Sequence, residues 1–277
     1  MIACTFGDRV PLNRLLEHSR DCCDELIVIH DGPDFEDVGG LAAQFGGRFI
    51  ERSRAFSQEP HIPFAIGEAT HDWILRFDSD EYPSNELKDW LMDFRRQPRV
   101  DPMIAGYQWI CPAWNGRKRI SMNWPNKFLR LFNRNTVAMI GLCENGPEPE
   151  PDYLAPKMPL RFWHEPQSPS HGFRNIFKKQ RTRQARMNLA RALLGSPLDH
   201  PRWRYDRERW PIGWQHVRDY PILTGLWRLI SWPPRHAVAM LLAGDVPRPS
   251  VFGHAGLFHA TLCFEVWRMK RTQLRTS

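Results

Sequence analysis

Three carboxylates fall within four residues, at Asp78, Asp80 and Glu81. They follow an apolar run, Trp73-Ile74-Leu75-Arg76-Phe77, whose bulky and β-branched residues suit a buried strand. Unpaired carboxylates at the edge of a core are costly to desolvate. A bound divalent cation would remove that cost. Mg²⁺ and Mn²⁺ take oxygen ligands, and Mg²⁺ is typically held by one or two carboxylates plus substrate phosphates. Alternate side chains of an extended segment point the same way, so Asp78 and Asp80 could face one ion. Taken alone, the short motif reads more simply as a solvated acidic turn, with Pro83-Ser84 opening a helix.

The elements around it change that balance. Residues 2–6 read as a short strand, 10–21 as a helix, and 25–31 as a strand that also closes on an acid, Asp31. A helix over 35–45 ends at Gly46-Gly47, a strand covers 48–51, and a helix covers 62–70. The strand over 72–78 completes a β-α-β-α-β-α-β order, which predicts an α/β domain with a mostly parallel sheet. Ligands bind beyond the carboxyl ends of such strands. Asp31, Asp78 and Asp80 all fall at predicted carboxyl ends, so acids distant in sequence meet at one rim. Next come a helix over 84–94, capped by Ser84, and strands over 104–112, 128–134, 137–143 and 160–165, the last ending near His164.

The composition is that of a globular protein: 277 residues, 42 % hydrophobic and 25 % charged. A net charge of +7 favours anionic partners without choosing among them. The six cysteines show no zinc spacing, and adjacent Cys22 and Cys23 suit a reduced compartment. The first residues carry no signal-peptide pattern, and no uninterrupted apolar run is long enough to span a bilayer. Between Arg174 and Arg209, eleven Lys and Arg stand against three acids. A basic helix is expected over 173–194, then Trp203, Trp210, Trp214, Trp227 and Trp232, then apolar stretches at 237–243 and 257–267. Basic charge, Trp and short apolar segments fit an interfacial, membrane-leaning element. They fit equally a helical packing unit with a solvated basic face. The expected division is 1–168 and 169–277.

Over roughly residues 1–165 the chain resembles the family 2 glycosyltransferases of the GT-A fold. The resemblance rests on Ile27-Val28-Ile29-His30-Asp31-Gly32-Pro33-Asp34 and on Asp72 through Ser84. More narrowly, Phe128 through Arg134, Leu142-Cys143-Glu144 and Phe162-Trp163-His164 are similar to the lipopolysaccharide-core, β-glucosyltransferase-like branch. The fold so implied is a Rossmann-like mixed sheet with a helical, basic, Trp-rich C-terminal extension. The implied activity is inverting transfer of a sugar from a nucleotide donor, a UDP-sugar first, to a hydroxyl of a cell-envelope glycan or lipid-linked acceptor. The resemblance implies Mn²⁺ or Mg²⁺ as cofactor, Asp80 and His164 as metal ligands, and Asp31 and Asp78 as nucleotide contacts. It makes Glu144 the general base, with Glu81 in reserve. Arg130, Arg134, Lys178 and Lys179 are candidate phosphate or acceptor contacts. A cytoplasmic protein is expected, peripheral on the inner face of an anionic membrane, with no nucleic-acid partner. Three positions depart from the family pattern: His30 replaces an acid, Cys143 stands where His is common, and Asp8 falls near a usual Asn.

Other classes fit less well. A nucleotidyltransferase would need an early Gly-rich phosphate loop, which Phe6-Gly7-Asp8-Arg9 does not supply. A phosphohydrolase with a nucleophilic Asp usually carries its acid pair after the first strand, not the fourth. A basic membrane- or nucleic-acid-binding module would rest on residues 174–209, where no nucleic-acid motif is found.

Overall fold

The computed structural model describes residues 1–55, 58–97, 100–114, 119–121, 127–139, 146–165, 190, 212–242, 244, 246 and 249–276. Two compact units divide the chain, Met1–Ser168 and Pro169–Ser277.

The first unit begins with β1 (Ile2–Thr5), α1 (Arg9–Ser19), β2 (Ile27–Asp31), α2 (Val38–Gln44), β3 (Arg48–Arg52), α3 (His61–Glu68) and β4 (Trp73–Asp78). It continues with β5 (Glu81–Pro83), α4 (Asn85–Arg96), β6 (Gly106–Ile110), β7 (Ala113–Trp114), β8 (Arg119–Ser121), β9 (Lys127–Asn133), β10 (Val137–Ala138), β11 (Glu148–Pro149) and β12 (Lys157–His164). One eight-stranded sheet runs β3-β2-β1-β4-β9-β6-β12-β5, and β7-β8 and β10-β11 form small ribbons. The first four strands are parallel, as the buried, largely apolar sequences of β1, β2 and β4 predict, and β3 forms a half-exposed edge. Strand β9 enters antiparallel between β4 and β6, which makes the sheet mixed.

Strand alternation sorts the core. Ala3, Val28, Leu75 and Phe77 join one cluster with Leu12, Leu15 and Leu16 of α1 and Leu87, Leu91 and Phe94 of α4. Helix α3 packs on β1 and β2 and buries Ile62, Ala65 and Ile66. Trp73, Trp90, Phe94 and Tyr107 meet edge to face at one end of the cluster, with ring centroids 4.9–5.6 Å apart in the closest pairs. Cys4, Cys22, Cys23 and Cys111 are free and buried; burial pushes the Cys4 thiol up to about 12.

The edge strand β5 corrects the sequence reading. Glu81–Pro83 is extended and pairs antiparallel with β12, matching Phe162 to Pro83, Trp163 to Tyr82 and His164 to Glu81. The helix starts only after Ser84, whose hydroxyl accepts from the Leu87 N–H at 3.3 Å. Of the strand expected over 137–143, only Val137–Ala138 is extended among the described residues.

Gly106 marks the tightest strand contact. A Cβ there would lie 2.3 Å from the Leu131 carbonyl oxygen and 2.9 Å from Phe132 Cα, both backbone. Gly106→Ala must therefore move β6 away from β9. It is expected to cost about 2 kcal/mol, read as a lower urea midpoint with an unchanged slope. An unchanged midpoint would show that the two strands have slack.

The second unit, taken by itself, contains α5 (Ile212–Asp219), α6 (Pro221–Leu242) and α7 (Pro249–Thr276). Helices α6 and α7 pack closely at Gly225, where a Cβ would lie 2.9 Å from Cys263 Cβ. Arg228 is buried and donates to His259 Nδ1 and the Gly213 carbonyl, both at 2.7 Å. Its guanidinium lies near the Trp214 and Trp232 rings. The apolar stretch expected at 257–267 is largely interior: Leu262, Cys263 and Val266 are fully buried. The helix expected over 173–194 lies outside the described residues apart from Ala190. Among the described residues, no helix is long and apolar enough to cross a membrane.

Candidate active site

Strands β1, β2, β3 and β4 end at one rim, because they are parallel and in register. Asp78 closes β4 opposite Cys4 of β1, and Asp80 follows in the turn. The β5–β12 pairing brings a residue 84 positions away to the same place. His164 stands opposite Glu81, and its Nε2 lies 3.3 Å from Asp80 Oδ2. The Glu165 N–H also donates to the Asp80 carbonyl at 3.0 Å. Both side chains of the Asp80–His164 pair remain about a third exposed, 27 % and 32 %. Burial alone would lower the His164 imidazole. The hydrogen bond to Asp80 and the charges of Asp80, Glu81 and Asp78 outweigh it and raise the group to about 9. The ring therefore carries a proton at neutral pH when no cation is present.

A buried ionic cluster lies behind this pair. Arg76 and Asp78 are two apart on β4 and share a face, with Nη2 2.7 Å from Oδ1. Arg130 falls opposite Arg76, one step beyond the Leu75–Leu131 pair. Two arginines facing each other repel unless acids bridge them. Arg130 Nη2 lies 3.3 Å from Asp78 Oδ2 and bonds Glu81 Oε1 directly. Glu81 Oε2 accepts from the Asp78 N–H at 3.0 Å, which fixes the tight turn. Burial works against the Asp78 charge, yet Arg76, Arg130 and His164 hold its carboxyl well below the usual carboxylate range. Glu81 goes the other way: burial, helped by Asp78, pushes it up to about 7 against the pull of Arg130.

The neighbouring loops are braced onto this rim. Ser79 Oγ donates to Asp8 Oδ2 at 3.3 Å, which ties the β1 loop to the acidic turn. His30 is fully buried; its Nε2 accepts from the Gly7 N–H at 3.0 Å, and its Nδ1 lies 2.7 Å from the Gly32 carbonyl. These bonds fit the tautomer protonated on Nδ1. An acid at position 30 could not donate to that carbonyl while ionised, so this loop pair is built around an imidazole. The Arg54 guanidinium lies 4.0 Å over the Phe6 ring, adding a flat basic ledge at the ends of β1 and β3.

Several expected contacts are placed differently. Asp31 is only 4 % exposed, and its Oδ1 accepts from the Ala55 N–H and from His61 Nε2 at 3.0 Å. His61 Nδ1 in turn meets Arg52 at 3.1 Å. That carboxylate braces the β3–α3 connection. Asp78 turns both its oxygens to arginines, which leaves the exposed acid position to Asp80. Arg130, expected as a phosphate or acceptor contact, is a buried counter-ion of Asp78 and Glu81. Arg134 lies at the far end of the sheet, bonded to Asp72 and to the Ala69 carbonyl. The length of β4 separates it from Asp80 by about 20 Å. Glu144, Lys178 and Lys179 lie outside the described residues. Among the described residues no three His, Cys, Asp or Glu side chains converge as a ready metal cage.

Comparison with known proteins adds a partial match. No family model matches the chain. It is 25 % identical over 131 residues to an uncharacterized glycosyltransferase of Rickettsia typhi, covering 47 % of this chain and 44 % of that protein. The chain thus spans less than half the length of that curated relative. Among solved structures, the S. aureus TarS 1–349 structure pairs with 97 % of this chain and 90 % of its own at 12 % identity and a TM-score of 0.37. The same TarS fragment in complex with UDP gives 11 % and 0.37. A score of that size is too low to carry a fold assignment.

The residues that sequence reasoning missed are those made important by pairing. The sequence alone assigns Arg76 no role and Arg130 a different one, a phosphate or acceptor contact; only their cross-strand position makes them counter-ions. A charged residue inside each of two apolar strands was the available signal.

Proposed function

We propose that the chain is a metal-dependent glycosyltransferase of GT-A type. It moves a sugar from a nucleoside-diphosphate donor, a UDP-sugar first, to a hydroxyl of a glycan or lipid-linked acceptor, with inversion at the anomeric carbon. The observation that carries this reading is the Asp80–His164 pair, partly exposed at the carboxyl rim and backed by the Arg76, Asp78, Arg130 and Glu81 cluster. The partial likeness to a Rickettsia typhi protein named as a glycosyltransferase supports the same class.

The donor set fits a Mg²⁺ or Mn²⁺ ion shared with a diphosphate. Such ions use one or two protein ligands and take the rest from phosphates and water, so they need no protein cage. Asp80 and His164 would hold the ion, which when bound offsets the charge of the departing diphosphate. The buried cluster does the chain's own part. Arg76 and Arg130 keep Asp78 ionised and fixed, and Glu81 pins the turn that aims Asp80. The Phe6–Arg54 ledge offers a stacking surface at the same rim for the donor's base. Glu144 is the general base in this reading and takes the proton of the acceptor hydroxyl.

Thermal shift tests the reading directly. UDP-, GDP-, CMP- and dTDP-sugars are each added with Mn²⁺ and with EDTA. A UDP-sugar with Mn²⁺ is expected to raise Tm by about 5 °C or more at saturation, and EDTA to abolish the shift. No shift with any donor would overturn the proposal.

A further inference from the structure

One face of α6 is unlike the rest of the described surface. Leu223, Trp227, Ile230, Pro234, Val238 and Leu241 recur at intervals of four, three, four, four and three residues, and all six are exposed. That spacing draws one stripe down a helix, about 27 Å long at 1.5 Å per residue, with Pro233 and Pro234 inside it. Exposure is high along its first half: 68 % at Leu223, 60 % at Trp227 and 71 % at Ile230. Leu226 and Leu242 widen it, both also exposed. The opposite face of the same helix carries the buried Gly225, Arg228 and Met240 against its neighbours. The helix has therefore met its packing needs on one side and keeps a second apolar side in water. A contiguous patch of this kind on a soluble surface marks an interaction site.

We infer that this stripe is the surface by which the chain lies on an anionic lipid bilayer, with α6 parallel to the membrane plane. Two observations choose that occupant. The first is charge. Residues 169–277 hold 19 Lys and Arg against 6 Asp and Glu, whereas residues 1–168 hold 19 against 25. The basic excess belongs wholly to the unit that bears the stripe. A second copy of this unit would bring net positive charge against net positive charge, while an anionic headgroup layer would be attracted. The second is the border of the stripe. Leu223 and Trp227 also line a cavity of about 510 Å³ whose other walls include Tyr220, Trp232 and Arg235. Cationic and aromatic groups at the edge of an apolar strip match the depth profile of a bilayer, acyl chains inside and phosphates outside. Nucleic acid fits the charge but not the stripe, since Leu, Ile and Val offer bases no stacking surface. α6 is also not long and apolar enough to cross the membrane, so it lies on the surface rather than through it.

The inference does not rest on the transferase reading, and its test needs no nucleotide. The full chain is floated with vesicles of phosphatidylcholine alone or mixed with phosphatidylglycerol. It is expected to float with the mixed vesicles and far less with the neutral ones. The double variant Leu223→Gln, Ile230→Gln changes two exposed positions, so circular dichroism and Tm should be unchanged. Its partition should fall by at least about tenfold. Brominated acyl chains should quench the bound protein's fluorescence, and Trp227→Phe should remove part of that quenching. Flotation of the double variant equal to the parent would overturn the inference. So would a dimer in sedimentation that the double variant converts to monomer without any flotation, which would make the face a contact between copies. RNA binding retained by the double variant, with no flotation of the parent, would overturn it as well.

Discussion

Asp80→Ala is expected to remove Mn²⁺-dependent binding of UDP and to lower kcat/KM for transfer by at least about a thousandfold, roughly 4 kcal/mol of lost transition-state stabilisation. The folded state should be little affected. The Asp80 side chain is partly exposed, and its turn is held by other bonds: Glu81 to the Asp78 N–H, and the Glu165 N–H to the Asp80 carbonyl. Calorimetry with UDP and Mn²⁺ measures the first effect, and a urea midpoint near the parent's confirms the second. His164 supplies a signature that a merely structural Asp80 would not give. Its imidazole is raised to about 9 by the acids around it, so a cation must displace a proton to reach it. Metal affinity should climb with pH until about 9 in the parent. In Asp80→Ala that climb should be absent, because metal-dependent binding is lost. Undiminished metal-dependent binding in Asp80→Ala would remove the residue from the site.

Arg130→Met is expected to cost about 3–5 kcal/mol of stability, because it strands charge that is already buried. Arg130 is 5 % exposed and is the shared counter-ion of Asp78 and Glu81. The sign of the pH dependence follows from the two carboxyls. Asp78 is depressed in the folded state, so its contribution is present above about pH 4 and is lost as pH falls through its folded value. Glu81 is raised from 4.5 to about 7, so the folded protein binds the extra proton between those values. Its contribution is therefore most favourable below pH 4.5 and declines as pH rises to about 7. Without Arg130 the ionised Glu81 has lost its partner. The loss should be larger at pH 8 than at pH 5, where the proton neutralises that group. Urea unfolding at the two pH values measures this. Adding Glu81→Gln should recover part of the loss at pH 8 and little at pH 5. A loss under about 1 kcal/mol, equal at both pH values, would show that the pair is solvated rather than buried.

The parallel half of the sheet was legible because β1, β2 and β4 are mainly apolar runs closed by polar or glycine residues, whereas β3 is apolar only at Phe49 and Ile50. Ile27 through Asp31 and Trp73 through Asp78 could hardly be anything else. Their shared rim followed from direction alone, but Asp31 turns to Ala55 and His61 while Asp78 turns to Arg76 and Arg130. The other half was less legible for a physical reason. Strand β5 is three residues long and contains a proline, so it has no period to detect. A strand that short exists only because β12 offers it a partner. Roles were harder still. Asp31 and Asp80 are both acids at strand ends, and sequence cannot tell which is enclosed. His61 and the Ala55 N–H decide it for Asp31. Arg130 and Arg134 sit in the same strand region four residues apart. One is buried in the ionic cluster and the other is bonded at the far end of β4, a difference created entirely by register with β4.

The order in which the sheet is threaded also sets when this rim becomes whole. Strands β1 to β4 all lie within the first 78 residues, although β4 must pair back onto β1 across 74 residues, Arg76 beside Ile2. Their rim then holds Asp78 but neither of its finishing partners. Arg130 arrives with β9, which must slot in beside β4, and His164 only with β12, which must find β6 and β5 at once. A nascent or partly unfolded chain thus has the scaffold without the site, and divalent-cation binding should report the last step of folding rather than the first.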